Sequence, residues 1–299
     1  MSQATRSQSV KIQGAMTAMV TPFRGGEVDY ARLKQNVEFQ IAQGIDGLVP
    51  CGTTGESPTL NYDEHKQVIT VAVEAAAGRV PVIAGTGSNA TSEALELTEH
   101  AKSVGADAAL MVNPYYNKPT QEGLYRHFMT LADRVGLPIV LYNIPGRCGV
   151  TMTPATVARL AANAHIVAIK EATGSMDIAS EIVSLCGLTL VSGDDSLTLP
   201  LMSIGGKGVI SVLSNVVPAR VKAVTAAGLA GRWDEARGHH AALFPLCRAM
   251  FIETNPIPVK AAMRLLGMDT GELRLPMCEL SAEHLPALER ALRQHGVLR

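Results

Sequence analysis

Aromatic side chains are scarce in this 299-residue chain, at 4% with a single tryptophan. That is too few for the stacking platforms on which single-stranded nucleic acids are read. Neither sign of charge prevails: 26 lysines and arginines face 27 aspartates and glutamates, for a net charge of -1. The chain therefore has no basic footprint, and no nucleic acid is expected as a partner. Uninterrupted apolar runs are short, and none reaches the ~20 residues of a membrane-spanning helix. The stretch from Met1 to Gln13 is polar and lacks the apolar centre of a signal peptide. Cysteines are few. Cys51, Cys148, Cys186, Cys247 and Cys278 are odd in number and widely spaced, with no CxxC pair. This argues against a disulfide framework or a zinc site and suits a reducing cytoplasm.

What is present is apolar and evenly spread. Hydrophobic residues make up 47% of the chain and charged residues 18%, enough to bury a substantial core. Small molecules or further copies of the chain are the expected partners. Short apolar runs recur at Ala15–Pro22, Gly47–Cys51, Pro81–Gly85, Ala109–Asn113, Pro138–Tyr142, Val167–Lys170, Thr189–Gly193 and Gly208–Leu213. The spacing leaves room for one helix and two short loops between neighbours. Asp29 to Gln43 reads as a helix closed by Gly44. Thr91 and Ser92 are candidate caps for a later helix, and Thr153-Pro154 is an N-cap followed by proline at the first helical position.

Eight strands alternating with helices predict an α/β fold, a (β/α)8 TIM barrel. A doubly wound open sheet is the competitor, but it usually has fewer strands. After Val217 the strand signal stops, and the tail reads as helices with breaks at Gly231, Pro245, Pro256, Pro258 and Gly267. The expected division is a catalytic barrel over 1–231 and a C-terminal helical extension over 232–299.

In such barrels chemistry gathers where the strands end and the βα loops begin. The polar residues follow that rule. The second strand runs into Gly52-Thr53-Thr54-Gly55-Glu56, the fourth into Asn113-Pro114-Tyr115-Tyr116-Asn117, and the fifth into Tyr142-Asn143-Ile144-Pro145-Gly146-Arg147. The sixth gives Lys170-Glu171-Ala172-Thr173-Gly174, and the seventh Ser192-Gly193-Asp194-Asp195.

Lys170 closes an apolar run that reads as a buried strand. Burial disfavours the ammonium and would make the amine a nucleophile able to form a Schiff base with a ketone. The plainer alternative is a lysine that snorkels out of a strand end. Tyr142 is either packing or a proton relay oriented by a second hydroxyl, for which Thr53 and Tyr116 are available. Arg147 is either solvated or a bidentate grip for a carboxylate. The Gly52–Gly55 turn offers N–H groups and hydroxyls for a carboxylate at a helix N-terminus, although glycine and threonine are common in any tight turn.

Other patterns carry less. Gly85-Thr86-Gly87-Ser88-Asn89-Ala90 loosely fits a dinucleotide fingerprint, but it follows the third strand rather than the first. His239-His240 lacks further ligands, and Asp194-Asp195, read as part of a strand, would face opposite ways, so no metal site is expected. Asn89-Ala90-Thr91 fits a glycosylation acceptor and means little in a cytoplasmic protein.

Taken together, these segments resemble the pyruvate-dependent class I lyases, the family of N-acetylneuraminate lyase and dihydrodipicolinate synthase. The resemblance is strongest to the dihydrodipicolinate synthase branch. It runs from Gly14 to about Leu298 and rests on Gly52–Ser57, Pro114–Pro119, Tyr142–Arg147, Ile169–Thr173 and Asn255–Lys260. It implies a Schiff base between Lys170 and pyruvate, with no metal or organic cofactor. It further implies that Thr54, the main chain of Thr53 and Thr54, and main-chain atoms near Gly193 and Ile210 hold the pyruvate. Thr53, Tyr142 and Tyr116 would form a proton relay, with Tyr116 reaching a neighbouring subunit's site in a homotetramer built from dimers. Arg147 would grip aspartate 4-semialdehyde, giving 4-hydroxy-tetrahydrodipicolinate for lysine and diaminopimelate biosynthesis. Sister aldolases generally lack that arginine, so it separates this reading from a 2-keto-3-deoxy sugar acid aldolase. A barrel retained only for binding is a third reading, against which the complete constellation argues. Ser57, His65, Asn89, Glu93 and Tyr115 match a pocket where some members bind lysine as feedback inhibitor. Tyr62 departs from that pattern, since lysine-sensitive bacterial relatives often have histidine there.

Overall fold

The computed structural model describes residues 10–298. Residues 1–9, which carry much of the polar N-terminal stretch, lie outside them. The eight expected strands are all present: β1 Gly14–Ala18, β2 Gly47–Val49, β3 Ile83–Gly85, β4 Ala108–Val112, β5 Ile139–Asn143, β6 Ile166–Glu171, β7 Thr189–Ser192 and β8 Gly208–Ser211. They are parallel and ordered β2-β1-β8-β7-β6-β5-β4-β3. A single parallel bridge between Leu48 and Val82 joins the two ends and closes the barrel.

Side chains alternate along each strand, and the alternation sorts the apolar residues into two groups. Met16, Ala18, Leu110, Val140, Ala168, Val191 and Ile210 pack together as the barrel interior. Their strand neighbours Ala15, Ala109, Met111, Leu141, Ile169 and Leu190 belong to the larger layer between strands and helices. The same period sends Tyr142 and Lys170 inward, two residues beyond Val140 and Ala168.

The ends of the elements show where local expectation holds. Asp29 caps the helix Tyr30–Ala42 through the Arg32 N–H, and Gly44 follows with φ +79°. Thr153 caps Pro154–Leu160 through the Thr156 N–H. The cap expected at Thr91 and Ser92 is instead Ala90, which has no capping side chain. Thr91 lies within the helix, its hydroxyl bonded to His127 Nδ1 at 2.9 Å.

The first strand stops at Ala18 rather than running to Pro22. The chain then forms a two-residue ribbon, Phe23–Arg24 against Glu27–Val28, across the Gly25-Gly26 turn. Two expected breaks are also absent. Pro245 sits inside the helix Trp233–Ala249, where buried Leu243, Leu246 and Cys247 hold the helix through the missing N–H. Pro258 lies in the first turn of Ile257–Leu265, where its N–H would have had no helical partner. Among the described residues no helix is long and apolar enough to cross a membrane.

Candidate active site

Lys170 is 5% exposed, and β6 places it directly beside Tyr142 of β5, with its Nζ 4.1 Å from the centre of the phenol ring. It has not snorkelled to solvent. Burial is the main cause that pushes its pKa from 10.5 down to about 8. Asp194 and then Asp195 oppose that shift, while Arg147 adds to it. Tyr142 is equally buried, and desolvation raises its pKa against the pull of Arg147 and a side-chain hydrogen bond with Thr53. The share of uncharged amine is thus raised beside a phenol that keeps its proton and already has a hydroxyl partner.

Gly193 follows β7 because nothing larger fits. A Cβ there would lie 2.6 Å from the Ala172 Cβ and 3.1 Å from the Lys170 Cε. Asp194 and Asp195 are not on the strand. They lie at and just inside a short 3-10 turn, Asp195–Leu197. Asp195 accepts from Ser211 Oγ at 2.5 Å and from the N–H groups of Val212 and Leu213 at 3.0 Å, tying this loop to the one after β8. The Asp194 carboxylate makes no hydrogen bond or ion pair among the described residues, and its field acts on Lys170.

The loop after β2 is the most heavily braced part of the site. Its own turn uses the N–H groups of Gly55 and Glu56, bonded to Gly52 and Thr53 carbonyls, and leaves those of Thr53 and Thr54 without a partner among the described residues. The expected helix N-terminus is not adjacent. A 3-10 turn, Ser57–Thr59, comes first, and the helix Tyr62–Ala76 starts later behind an Asn61–Glu64 capping box. Glu56 adopts a left-handed φ of +53°, a conformation costing about 1–3 kcal/mol unless its surroundings hold it.

The helix Ile257–Leu265 and the segments on either side of it supply that support. Lys260, fully buried, pairs with Glu56 at 2.7 Å and donates to the Thr21 carbonyl at 2.9 Å. The Arg274 N–H reaches the other Glu56 oxygen, at 3.2 Å. Asn255, 4% exposed, donates from Nδ2 to Thr54 Oγ1 at 3.0 Å. Its carbonyl accepts from Arg147 Nη2 at 3.1 Å. The residues expected to hold two different substrate carboxylates are therefore joined through one asparagine. Sequence reading marked the Asn255–Lys260 segment but assigned it no role; the signal was a lysine in an apolar helix far from the other motifs.

Tyr116 is not gathered here. It is 89% exposed with φ +74°, and its hydroxyl has no hydrogen bond among the described residues. Ile210 lies in the barrel interior on β8. Asn113 and Asn143, expected at the strand ends but given no role there, are buried, with Asn113 Nδ2 donating to Asn143 Oδ1 at 3.0 Å.

Ser57, His65, Glu93 and Tyr115 line a separate cavity of about 150 Å3, together with Tyr62 and Ser88. Asn89 is not part of the lining. His65 is buried, which pushes its pKa down, and contacts the Gly85 carbonyl at 2.7 Å through Nε2. Tyr62 hydrogen-bonds Glu93, and burial with that carboxylate pushes its pKa up to about 12. The glycines of the Gly85–Ala90 segment serve packing: a Cβ on Gly85 would lie 2.2 Å from the Cys51 carbonyl oxygen. His239 meets only Glu235, at 3.6 Å, and no group of three or more potential metal-ligating side chains forms among the described residues.

Known proteins resemble this chain in sequence and in fold. The model of the dihydrodipicolinate synthetase family matches residues 11–295. A 4-hydroxy-tetrahydrodipicolinate synthase of Citrifermentans bemidjiense is 54% identical over 288 residues, covering 96% of this chain and 99% of the relative. Among solved structures, a dihydrodipicolinate synthase of Acinetobacter baumannii complexed with pyruvate is 45% identical, with a TM-score of 0.94 over 96% of this chain and 100% of that one. The enzyme from Cyanidioschyzon merolae with lysine bound is 41% identical, with a TM-score of 0.93 over 96% and 99%. A lysine-bearing barrel matched along nearly its whole length leaves one conclusion: the chain is an enzyme of the dihydrodipicolinate synthetase family.

Proposed function

We propose that this enzyme condenses pyruvate with aspartate 4-semialdehyde on Lys170. The observation that carries the reading is the buried amine, its pKa pushed down to about 8, in contact with a protonated phenol. The free amine attacks the pyruvate carbonyl, and loss of water leaves a protonated imine. That imine draws electrons from the methyl group, whose proton leaves through Tyr142 and Thr53 to give an enamine. The enamine carbon attacks the aldehyde, and the new alkoxide takes a proton back from the relay. The α-amine of the semialdehyde then attacks the imine carbon, expels Lys170 and closes the six-membered ring of 4-hydroxy-tetrahydrodipicolinate. The iminium is the electron sink, so the chemistry calls on no metal or organic cofactor.

Thr54 and the free N–H groups of Thr53 and Thr54 hold the pyruvate carboxylate, with main-chain atoms at Gly193 and Ile210 completing the cradle. Arg147 receives the carboxylate of the semialdehyde, an orientation effect worth several kcal/mol. The exposure of Tyr116 supports a role in a neighbouring subunit's relay, within a homotetramer built from dimers. The pyruvate held by the Acinetobacter relative supports the first substrate. The lysine held by the Cyanidioschyzon relative supports feedback binding in the cavity around Tyr62, His65 and Glu93. Five free thiols support a reducing, cytoplasmic setting. The division into a barrel over 1–231 and a helical region over 232–299 belongs to the same reading.

Borohydride reduction in the presence of pyruvate, followed by peptide mapping, tests the central step. A reduced adduct on the peptide containing Lys170 is expected. Recovery of that peptide unmodified at saturating pyruvate would rule the mechanism out.

A further inference from the structure

We infer that Asn255 is a positioning residue that fixes the direction of the Thr54 hydroxyl and so makes the cradle donate to pyruvate. The inference rests on the reading above, in which Thr54 meets the pyruvate carboxylate. A hydroxyl carries one proton and two lone pairs. The Asn255 amide, buried and donating from Nδ2 at 3.0 Å, occupies a lone pair of Thr54 Oγ1. The threonine proton must then point elsewhere, and Thr54 Oγ1 has no other hydrogen-bond partner among the described residues. With the unpartnered N–H groups of Thr53 and Thr54, it makes a third donor for one carboxylate. A carboxylate accepts several such bonds, and each charge-assisted bond is stronger than a neutral one.

An aspartate of the same shape would reverse the arrangement. Its oxygen would accept the threonine proton, remove a donor and place a negative charge beside the substrate's own. The contact with Arg147 behaves differently, because it uses the main-chain carbonyl of Asn255 and survives any change of side chain. Side-chain substitutions at 255 should therefore disturb the pyruvate half of the site and spare the semialdehyde half. A general loosening of the fold would disturb both.

The test compares Asn255→Asp and Asn255→Ala with the unmodified enzyme, each checked for folding by thermal unfolding. The readouts are the pyruvate concentration giving half-maximal borohydride trapping and the KM for each substrate. Asn255→Asp should raise the pyruvate requirement roughly tenfold or more, and Asn255→Ala by a few-fold. The KM for the semialdehyde should stay within about twofold. In a Thr54→Val background either substitution should have little further effect, because the hydroxyl it directs is gone. Unchanged pyruvate dependence in Asn255→Asp overturns the inference. So do equal rises for both substrates, or a full additional loss on top of Thr54→Val. Should Asn255→Asp fail to fold, Asn255→Ala with Thr54→Val completes the same cycle. Failure of the unmodified enzyme to trap pyruvate sinks the reading of the site itself, a different result from normal trapping that ignores residue 255.

Discussion

Replacing Lys170 with methionine should make the protein more stable while abolishing its chemistry. The fold holds this amine 5% exposed, and its pKa falls from 10.5 to about 8. A difference of about 2.5 on the pH scale, at about 1.36 kcal/mol for each, means that holding the ammonium in the barrel costs roughly 3 kcal/mol. The sign follows from proton binding. Between pH about 8 and 10.5 the unfolded chain holds the proton and the folded one has released it, so stability rises with pH across that window. Below about 8 both states are protonated and the full penalty stands. Methionine has a similar length and no charge, so Lys170→Met should gain roughly 3 kcal/mol at pH 7, with the gain shrinking towards pH 10.5. Urea unfolding of both proteins at one fixed concentration, at pH 7 and again near 10, measures it. Equal or lower stability of the variant at pH 7 would refute the claim that the barrel strains against this charge. The same penalty has a catalytic return. At pH 7 roughly one amine in eleven is free, against about one in three thousand for an ordinary lysine.

Asp194 is the largest influence holding the Lys170 pKa up, so Asp194→Asn should move the pH midpoint of borohydride trapping downward. An unchanged or higher midpoint would contradict the assigned electrostatics. Lys260→Met leaves Glu56 buried without its partner and should cost about 3–5 kcal/mol in denaturant unfolding. Adding Glu56→Gln should restore much of that loss, and a second loss in the double variant would speak against the pair. Gly193→Ala drives a methyl group to within 2.6 Å of Ala172 and 3.1 Å of the Lys170 stem. Displacing the amine by a fraction of an ångström should lower kcat by about a hundredfold, and steady-state rates near the unmodified enzyme's would show that the loop yields instead.

The barrel was legible because two periodicities rarely compete. Short apolar runs separated by helix-length polar stretches admit few parallel arrangements, and all eight strands fall within a few residues of their expected ends. Lys170 was legible for a related reason, since a charge inside an apolar run demands an account. Errors arose where local rules meet tertiary contacts. Thr91 looks like a cap but bonds His127 across to the next helix, and Pro245 looks like a break but lies in a helix held by its packing. Asp194 and Asp195 looked like strand residues because the strand ends at Ser192, a boundary that alternation alone does not reveal. The bracing of the Thr54–Glu56 loop was not legible at all. Asn255 and Lys260 lie some 200 residues away from their partners, and no local pattern announces a contact at that separation.

That long-range brace imposes an order of assembly. All eight strands have been synthesised by Ser211, yet the groups that lock the loop after β2 come from residues 255, 260 and 274. A nascent chain on the ribosome can thus carry every rim residue from Thr53 to Lys170 before Glu56 acquires its counter-charge. Competence arrives last, once residue 274 has joined the chain.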